Sequence, residues 1–408
     1  MKFTHLHSIV SFFICFGVLS AQAGGVGVLR FEDCVRIALE NSPRLDAQHA
    51  RLQSARHAAR QEARWSDPEF EAVLLSGERD VALIIEPDFA GVRRAAGRAG
   101  EAKAGIVAAE IHSVRWELAA EIVQLFHRTR AAAERLAALD RELAWRRELH
   151  EIRVREVELG AYEVSALAEL RVLLAGMEKE RIKTNLDLAL SKSSMNLLLG
   201  RGPTSPLELA ASPSTNALPG LGQFLAATAN NAPSLAVASA VLEAAARRIE
   251  LATREGLPKV SLGPAMKETQ GDFEPGGVIK ISLPIWNGNR EGRLGAKQER
   301  IAAAADLEKI SRETTSLAHA IWASAVAARD ELVAFQTRSS GDRTARVTQA
   351  MKAAEAGDLS RREALDIAIL ASTLERELAA LRFHRDETAA MVQLWSRPPS
   401  AIAKPTKR

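Results

Sequence analysis

Aromatic residues are scarce in this sequence of 408 residues. Phe, Trp and Tyr together account for 5% of the chain, although the hydrophobic share reaches 47%. The apolar content is therefore mostly Ala and Leu, and these residues occur beside abundant Glu and Arg. Such a composition argues against a thick, aromatic-rich core and indicates long helices.

Clustered charge and clustered metal ligands are also lacking. The formal net charge of +3 is spread along the chain, so no basic patch marks a nucleic-acid interface. The histidines after the N-terminal segment stand singly, without the H-x-x-x-H spacing of a metal site. The stretches "AGRAG" and "GNREG" lack the pattern of a phosphate-binding loop. We therefore expect no catalytic residue, no bound metal, no cofactor and no nucleic-acid partner, and we expect that the protein is not an enzyme.

A long apolar run is missing after the first 23 residues. Residues 1–23 have the organisation of a secretory signal peptide: Lys2, an apolar stretch at 9–19, and an "AQA" cleavage motif ending at Ala23. The stretch is short for a membrane anchor. Removal of the signal would leave Cys34 as the single cysteine, which excludes an intrachain disulfide. We expect an exported protein in which any membrane span is made of β-strands.

The sequence does contain an internal duplication. The segment "ENSPRLDA" returns as "NNAPSLAV", and later prolines and glycines keep matching spacings in both copies. The matched positions, offset first by 190 and then by 197, are Pro43 and Pro233, Pro68 and Pro258, Pro87 and Pro284, and Gly160 and Gly357. Four landmarks at shared spacings indicate duplication rather than chance.

Each copy contains one predicted β-hairpin, at residues 68–87 and 258–284, because apolar and polar residues alternate there. The expected tips are Ser76 to Arg79 in the first hairpin and the Gly-rich segment "TQGDFEPGG" in the second. A strand-to-helix turn follows each hairpin, and its residues are Pro87 and Gly91 in the first copy and Pro284 and Gly288 in the second. We assign these four residues a structural role and no chemistry.

Long helices without proline are predicted after each hairpin. The first runs from Gly91 to Leu159, with apolar residues at the three- and four-residue spacing of a coiled-coil seam. The second runs from about Gly288 to Ala356. Shorter helices follow at about 163–199 and 360–395. Because the pre-strand helix and the later short helix together match the long one in length, we expect the two short helices to stack end to end beside it.

These boundaries give a mainly α fold with a small β part. The predicted segments are a signal peptide (1–23), a first repeat (24–200) with its helical tip at Gly160, a connecting segment (201–222), a second repeat (223–395) with its tip at Gly357, and a flexible C-terminal tail (396–408).

Four strands are too few to close a barrel, because every strand edge would stay unpaired in lipid. Three chains would contribute twelve strands, so a membrane role requires a trimer or another symmetric oligomer. Trp65, Phe89 and Trp286 cluster at the helix-side ends of the strands, where the aromatic residues of a membrane interface are expected.

Four stretches of the sequence resemble the TolC-like outer-membrane efflux proteins, most closely their heavy-metal (CzcC-like) branch. The stretches are "FEDCVRIALENSPRLDAQ", "LPKVSLG", "ISLPIWNGNREGRLGAKQER" and "EAGDLSRREALDIAILAS". The likeness extends from Val28 to Trp395. It implies a homotrimer in the outer membrane of a Gram-negative bacterium, with a twelve-stranded β-barrel continued by an α-helical barrel through the periplasm. It also implies a passive exit duct that meets a periplasmic adaptor (a membrane fusion protein) and an inner-membrane efflux pump.

The resemblance assigns adaptor docking to the two helical tips. The residues concerned are Gly160, Ala161, Tyr162, Gly357, Asp358, Leu359 and Ser360. Among them, Tyr162, Leu359 and Ser360 are expected to be exposed. The same residues also read as ordinary helix–helix turns with a left-handed glycine, and both interpretations hold together.

The resemblance further places Glu363 and Asp366 at the closed end of the tunnel. Threefold symmetry would bring six carboxylates around a narrow channel aperture, which attracts cations and resists closing. The alternative is a pair of solvated acids beside Arg361 and Arg362 on a helix surface.

The leading hypothesis is an outer-membrane channel of a tripartite (RND-type) efflux system that exports divalent metal cations or other small substrates. A type I secretion duct or a drug-efflux duct is the alternative within that class. An exported, non-channel coiled-coil scaffold is the alternative from another class. A soluble periplasmic enzyme would require a clustered site that the sequence does not contain.

Overall fold

The computed structural model describes residues 28–75, 78–211, 217–269, 272–285, 288–339, 343–397 and 399. The signal peptide and most of the C-terminal tail lie outside these residues. The described chain is mainly helical and has a single small sheet. Its elements are α1 (Phe31–Glu40), α2 (Pro43–Ala63), β1 (Glu69–Leu75), β2 (Glu78–Ile84), α3 (Val92–Glu158), α4 (Val164–Leu198), α5 (Leu221–Asn231), α6 (Pro233–Glu255), β3 (Lys259–Thr269), β4 (Asp272–Ser282), α7 (Arg290–Arg338), α8 (Arg343–Ala356) and α9 (Arg361–Ser396).

The long helices of the two repeats differ. α3 is an uninterrupted helix of 67 residues, about 100 Å long at roughly 1.5 Å per residue. In the second repeat, α7 ends at Arg338 and α8 begins at Arg343. The prediction of one continuous helix from Gly288 to Ala356 is therefore wrong. Ser339 is the C-cap of α7, and serine has lower helix propensity than the Ala-rich sequence before it.

Both hairpins belong to one antiparallel sheet with the strand order β1-β2-β3-β4. The repeats meet where β2 pairs with β3, which places Ala82 opposite Ala265. Two backbone hydrogen bonds of 2.9 Å between Ile85 and Leu262 continue this pairing past the end of β2. In the described part of the chain, the outer strands β1 and β4 each pair with one neighbour only. One edge of each outer strand is therefore open.

The strands extend further into the expected hairpin tips than the sequence pattern predicts. β2 begins at Glu78, inside the expected tip of Ser76 to Arg79, and β4 begins at Asp272, inside the expected Gly-rich tip. These residues are strand because they complete the ladder with β3, where Glu78 and Asp272 both lie opposite Thr269. The strands have seven residues each in the first hairpin and eleven each in the second.

One face of the sheet is mostly apolar and the other carries most of the charged residues; the ion-paired Arg79 and Glu268 lie on the mostly apolar face, called the apolar face below. Exposed residues of the apolar face are Phe70, Leu74, Phe273, Ile279 and Ile281. Charged residues of the opposite face are Glu71, Asp80, Lys267, Glu274 and Lys280. The sheet curves toward its charged side, since Lys280 of β4 pairs with Glu71 of β1 across the two inner strands. Within the described chain, the apolar face is open to its surroundings.

α3 is the central helix of the molecule. It packs against α2 and α4 of its own repeat and against α6 and α9 of the second repeat. α7, which corresponds to α3 in the duplication, packs against α5, α6 and α9, all of its own repeat. Two helices of matching sequence position therefore have different surroundings, because only α3 lies between the repeats.

The largest core lies where α1 and the C-terminal ends of α4 and α9 meet the middle of α3. Its buried side chains include Cys34, Phe126, Met195 and Leu394. Burial, with a smaller contribution from the charge of Asp33, raises the pKa of the Cys34 thiol to about 12. Cys34 is thus a packed, uncharged side chain at neutral pH.

Matching asparagines join the short helices in both repeats. Nδ2 of Asn41 donates to the carbonyl oxygen of Leu199 at 3.2 Å, and Nδ2 of Asn231 donates to that of Ser396 at 3.1 Å. The donors are 190 positions apart and the acceptors 197, the two offsets of the duplication. Each amide satisfies a carbonyl at the C-terminal end of α4 or α9. Asn41 directly follows α1 and Asn231 is the last residue of α5, so each lies just ahead of the helix that leads to its hairpin. The predicted end-to-end arrangement thus has a specific contact at each junction.

Replacing either asparagine should weaken its junction. We expect Asn41→Ala and Asn231→Ala each to lower the free energy of unfolding by about 1 kcal/mol, because each removes one hydrogen bond to a helix end. Asn230→Ala, at an exposed neighbouring position, is the matched control and should change stability by less than about 0.5 kcal/mol. Denaturant unfolding of the purified variants measures the difference. A loss in the control equal to that in Asn231→Ala would contradict the role of the amide.

His127 of α3 is buried beside the same core. Its ring lies 5.5 Å from that of Phe126 and 6.4 Å from that of Phe31, measured between centroids. Burial, followed by the nearby guanidinium groups of Arg130 and Arg385, lowers the pKa of His127 from 6.5 to about 4. The imidazole is therefore uncharged in the folded protein at neutral pH.

Stability should decrease in acid because of this histidine. The folded pKa lies below the unfolded value, so the unfolded chain binds more protons between pH 6.5 and 4, and folding weakens as the pH falls through that window. The full effect amounts to roughly 3 kcal/mol. A His127→Gln variant should show a flatter dependence of unfolding free energy on pH, whereas His57→Gln, on the exposed surface of α2, should keep the wild-type slope. Unfolding curves measured across this range test both, and a wild-type slope in His127→Gln would refute the assignment.

Candidate functional site

The glycines at the expected strand-to-helix turns have a left-handed backbone conformation. Gly91 has a φ of +70° and Gly288 a φ of +45°, a region that side chains with a Cβ disfavour. Pro87 and Pro284 follow the last strand residues by three and two positions. The prolines and glycines thus lie between sheet and helix in both copies.

Two polar residues at these turns, one that caps a helix through its side chain and one that is an N-cap by position, were missed in the sequence. The Asp88 carboxylate accepts hydrogen bonds from the backbone N–H groups of Arg93 and Arg94, both at 3.2 Å, at the start of α3. In the second copy, Asn289 is the N-cap of α7 and its amide donates to the carbonyl of Ala252 at 2.9 Å. An Asp or Asn just ahead of a long helix is the signal that would have identified them.

The aromatic residues predicted for the membrane interface are exposed where they are described. Trp65 is 65% exposed ahead of β1, and Phe89 is 71% exposed after β2. Both lie at the end of the sheet that faces the helices. Trp286 lies outside the described residues.

The two helical tips are built in the same way. At the first, the N–H of Gly160 donates to the carbonyl of Val157 at 2.9 Å, and that of Ala161 to Glu156 at 2.8 Å. At the second, the N–H groups of Gly357 and Asp358 make the equivalent bonds, of 3.3 and 2.9 Å, to the carbonyls of Ala354 and Ala353. Gly160 and Gly357 have φ values of +71° and +84°. This is the Schellman arrangement, which satisfies the last carbonyls of a helix and requires a left-handed residue.

The side chains that each tip exposes differ from the prediction. Tyr162 is half-buried, because the Arg153 guanidinium lies 3.9 Å above its ring. Leu359 is also half-buried, since it packs into a groove between α8 and α9. Of the three residues expected to be exposed, only Ser360 is so. The large exposed apolar side chains at the first tip are Leu159 (83% exposed) and Val164 (69% exposed), which sequence reasoning missed.

Glu363 and Asp366 lie on the first turns of α9, and both are exposed. Glu363 forms a capping box with Ser360: its Oε2 accepts from the Ser360 hydroxyl at 2.6 Å and from the Ser360 N–H at 3.0 Å. These hydrogen bonds lower the pKa of the Glu363 carboxyl. Arg361 and Arg362 turn toward α3, where they pair with Glu148 and Glu156. Asp366 is therefore the more available of the two carboxylates.

A buried ionic network fixes α9 and α4 against α3 above the tips. The Glu142 carboxylate of α3 is fully buried and pairs with Arg146 at 2.9 Å and with Arg376 of α9 at 3.2 Å. Arg376 also pairs with Glu180 of α4 at 3.3 Å. Removing one member would leave a buried charge uncompensated, so the network holds the three helices in a fixed arrangement.

The described residues contain no group of three or more His, Cys, Asp and Glu side chains that could hold a metal ion. In the same part of the chain, none of the helices combines the length and apolar character needed to cross a membrane. What the arrangement offers is a set of surfaces: a two-faced sheet, two helical tips and an exposed carboxylate near the second tip.

Comparison with solved structures relates this arrangement to known proteins. Neither a family model nor a curated relative matches the sequence. The chain is similar to CusC, with 18% identity and a TM-score of 0.69 over 90% of this chain and 91% of that one. It is similar to VceC from Vibrio cholerae, with 18% identity and a TM-score of 0.66 over 90% and 96% of the two chains. It is also similar to MtrE from Neisseria gonorrhoeae, with 17% identity and a TM-score of 0.69 over 90% and 88%.

These neighbours are channel proteins, not enzymes: the CusC study concerns transmembrane channel formation, VceC is an outer membrane protein, and MtrE is an outer membrane channel in its open state. At this level of identity the likeness concerns the fold. The fold of this chain is therefore that of solved outer-membrane channel proteins, as the TolC-like resemblance implied.

Proposed function

We propose that this protein is the outer-membrane channel component of a tripartite (RND-type) efflux system and works as a closed ring of three copies. The observation that carries the proposal is the open-edged sheet with one apolar and one charged face. In a bilayer such a sheet needs a strand partner at each edge, because lipid offers no hydrogen bonds to the backbone.

Contacts between the repeats provide a template for contacts between copies. Within the chain, β2 pairs with β3, and α3 packs against α6 and α9. By the duplication, the equivalent contacts of the second repeat are β4 with β1 of the next copy, and α7 with α2 and α4 of the next copy. A head-to-tail contact of this kind generates a ring when its rotation closes, and twelve strands from three copies complete the sheet.

Exposed apolar residues on the outer helices support the same contact. One face of α4 exposes Val172, Ile182, Leu186, Leu190 and Leu197. α7 exposes Leu294 and Ile301, which are seven residues apart and so share a helix face. Contiguous apolar surfaces of this type are typical of protein interfaces.

The sheet is the segment that we place in the outer membrane. β3 and β4 have eleven residues each, the length of a tilted spanning strand at about 9–11 residues. β1 and β2 are shorter, and Ile85 extends the pairing of β2. Trp65 and Phe89 would lie at the periplasmic interface. The apolar face would contact lipid and the charged face would line the lumen.

The helical part would extend into the periplasm and end at the tips that meet the adaptor. Its docking surface would comprise the turns at Gly160 and Gly357, with Leu159 and Val164 as apolar contacts. Asp366, together with Glu363, would form the acidic channel aperture. An inner-membrane pump would deliver the substrate through the adaptor.

Divalent metal cations are the proposed substrates, supported by the resemblance to the heavy-metal branch and by the acidic aperture. A duct for drugs or for type I secretion is the alternative, because the pump rather than the duct selects what is exported.

Conductance across planar bilayers tests the channel and its aperture together. Wild-type protein should form cation-conducting channels that divalent cations block from the helical side. Asp366→Asn should weaken this block by about tenfold, because the ring of carboxylates loses charge. Asp366 is the residue to change, since replacing Glu363 would also remove the cap of α9. Asp306→Asn, at an exposed position on α7, is the matched control and should keep the wild-type block.

If divalent cations still block the Asp366→Asn channels, the result would support the proposed duct and contradict the proposed acidic aperture. A folded sample that forms no channels would favour the exported coiled-coil scaffold. Washing isolated membranes with carbonate separates these cases, because a scaffold is released and a spanning sheet is retained.

A further inference from the structure

A groove lined by arginine lies midway along the helical part, away from the tips and the sheet. α3, α7 and α9 surround a solvent-connected volume of about 380 Å³. At about 30 Å³ per water molecule, this volume has room for roughly a dozen waters. A small polyatomic ion therefore fits the groove together with part of its hydration shell.

The groove has more cationic than anionic side chains. Its lining arginines, drawn from three helices, are Arg130, Arg329, Arg382 and Arg385, and its lining acids are Glu134 and Asp386. Three of the arginines pair with acids of their own helices: Arg130 with Glu134 at 3.1 Å, Arg385 with Asp386 at 2.5 Å, and Arg329 with Asp330 at 2.8 Å.

Arg382 supplies the excess positive charge. It is exposed on α9 at the rim of the groove, and no described carboxylate lies within ion-pairing distance of it. The guanidinium is always protonated and presents a planar set of N–H donors that matches the oxygens of carboxylate and phosphate. An anion in the groove would thus gain a partner that the chain itself does not provide.

The floor of the groove is buried and has a positive character. Arg385 and His127 are 9% and 3% exposed. Burial, followed by the guanidinium groups of Arg130 and Arg385, lowers the pKa of His127, so this imidazole adds no negative charge to the groove. Low solvent exposure strengthens electrostatic interactions with a bound ion.

We propose that this groove binds a small divalent oxyanion of the phosphate type. Arg382 and Arg329 hold it at the rim, and Arg130 and Arg385 attract it from below. The anion bridges α3 and α7, which make little direct contact and are joined through α6 and α9. The site differs in place and in charge from the acidic aperture, so its existence does not depend on the channel function.

Calorimetric titration of the purified, detergent-solubilised protein with inorganic phosphate tests the site at constant ionic strength. We expect saturable binding with one site per chain. Arg382→Gln should raise the Kd by about tenfold, the effect of losing one charged hydrogen-bonding partner. Arg382→Lys should give an intermediate Kd, because it keeps the charge without the planar donor set. Arg312→Gln, at an exposed position of α7 outside the groove, is the matched control and should keep the wild-type Kd.

Thermal unfolding followed by circular dichroism without phosphate shows whether each variant is folded. Because Arg382 is exposed, we expect its variants to keep the wild-type Tm. No saturable heat from phosphate would overturn the proposal. A Kd that Arg382→Gln leaves unchanged, or that Arg312→Gln raises equally, would overturn it as well.

Discussion

Hydrogen bonding between β2 and β3 holds the two sequence repeats in one sheet. In the described chain, the outer edges of β1 and β4 have no strand partner, so their backbone groups still need hydrogen-bond partners. Every backbone group at a strand edge needs a partner, and the need is greatest where water is absent. Inside the chain, β2 of the first repeat and β3 of the second repeat satisfy each other's backbone hydrogen bonds. In the proposed ring, another copy of the chain would do so at the outer strands, and the assembly would then be a consequence of the duplication.

The helices follow the same logic. α3 is surrounded because it lies between the repeats, whereas α7 occupies the equivalent position at the end of the chain and packs within its own repeat. The buried charges of Glu142 and Arg376 also lie on the α3 side of the molecule, where α4 and α9 converge. The difference between α3 and α7 thus reflects position in the chain, and a ring of copies would make their surroundings alike.

The sequence was informative wherever local chemistry determines the backbone. Period-two alternation identified both hairpins, and the glycines at 91, 160, 288 and 357 marked the turns that need a left-handed residue. The capping box at Ser360 and Glu363 was also readable, since Ser-x-x-Glu is its signature, but the resemblance directed attention to the tunnel instead. The end of α7 at Arg338 was not predicted, because the high helix propensity of the Ala-rich segment as a whole outweighs that of the serine that follows.

Contacts between distant residues were beyond sequence reasoning. The pairing of Glu142 with Arg376 and the stacking of Arg153 on Tyr162 depend on how the helices supercoil, which periodicity alone does not determine. For the same reason, the groove that gathers arginines from α3, α7 and α9 was invisible in the linear sequence. Single arginines on separate helices read as solvated surface until the packing brings them together.

Native mass spectrometry of the detergent-purified mature protein tests the central claim most directly, because a head-to-tail contact between repeats fixes the number of copies that close. The account predicts a single dominant species with three times the mass of one mature chain. A stable monomer, or a continuous series of open-ended oligomers, would contradict it, since either result means that the edges of β1 and β4 do not join in a closed ring.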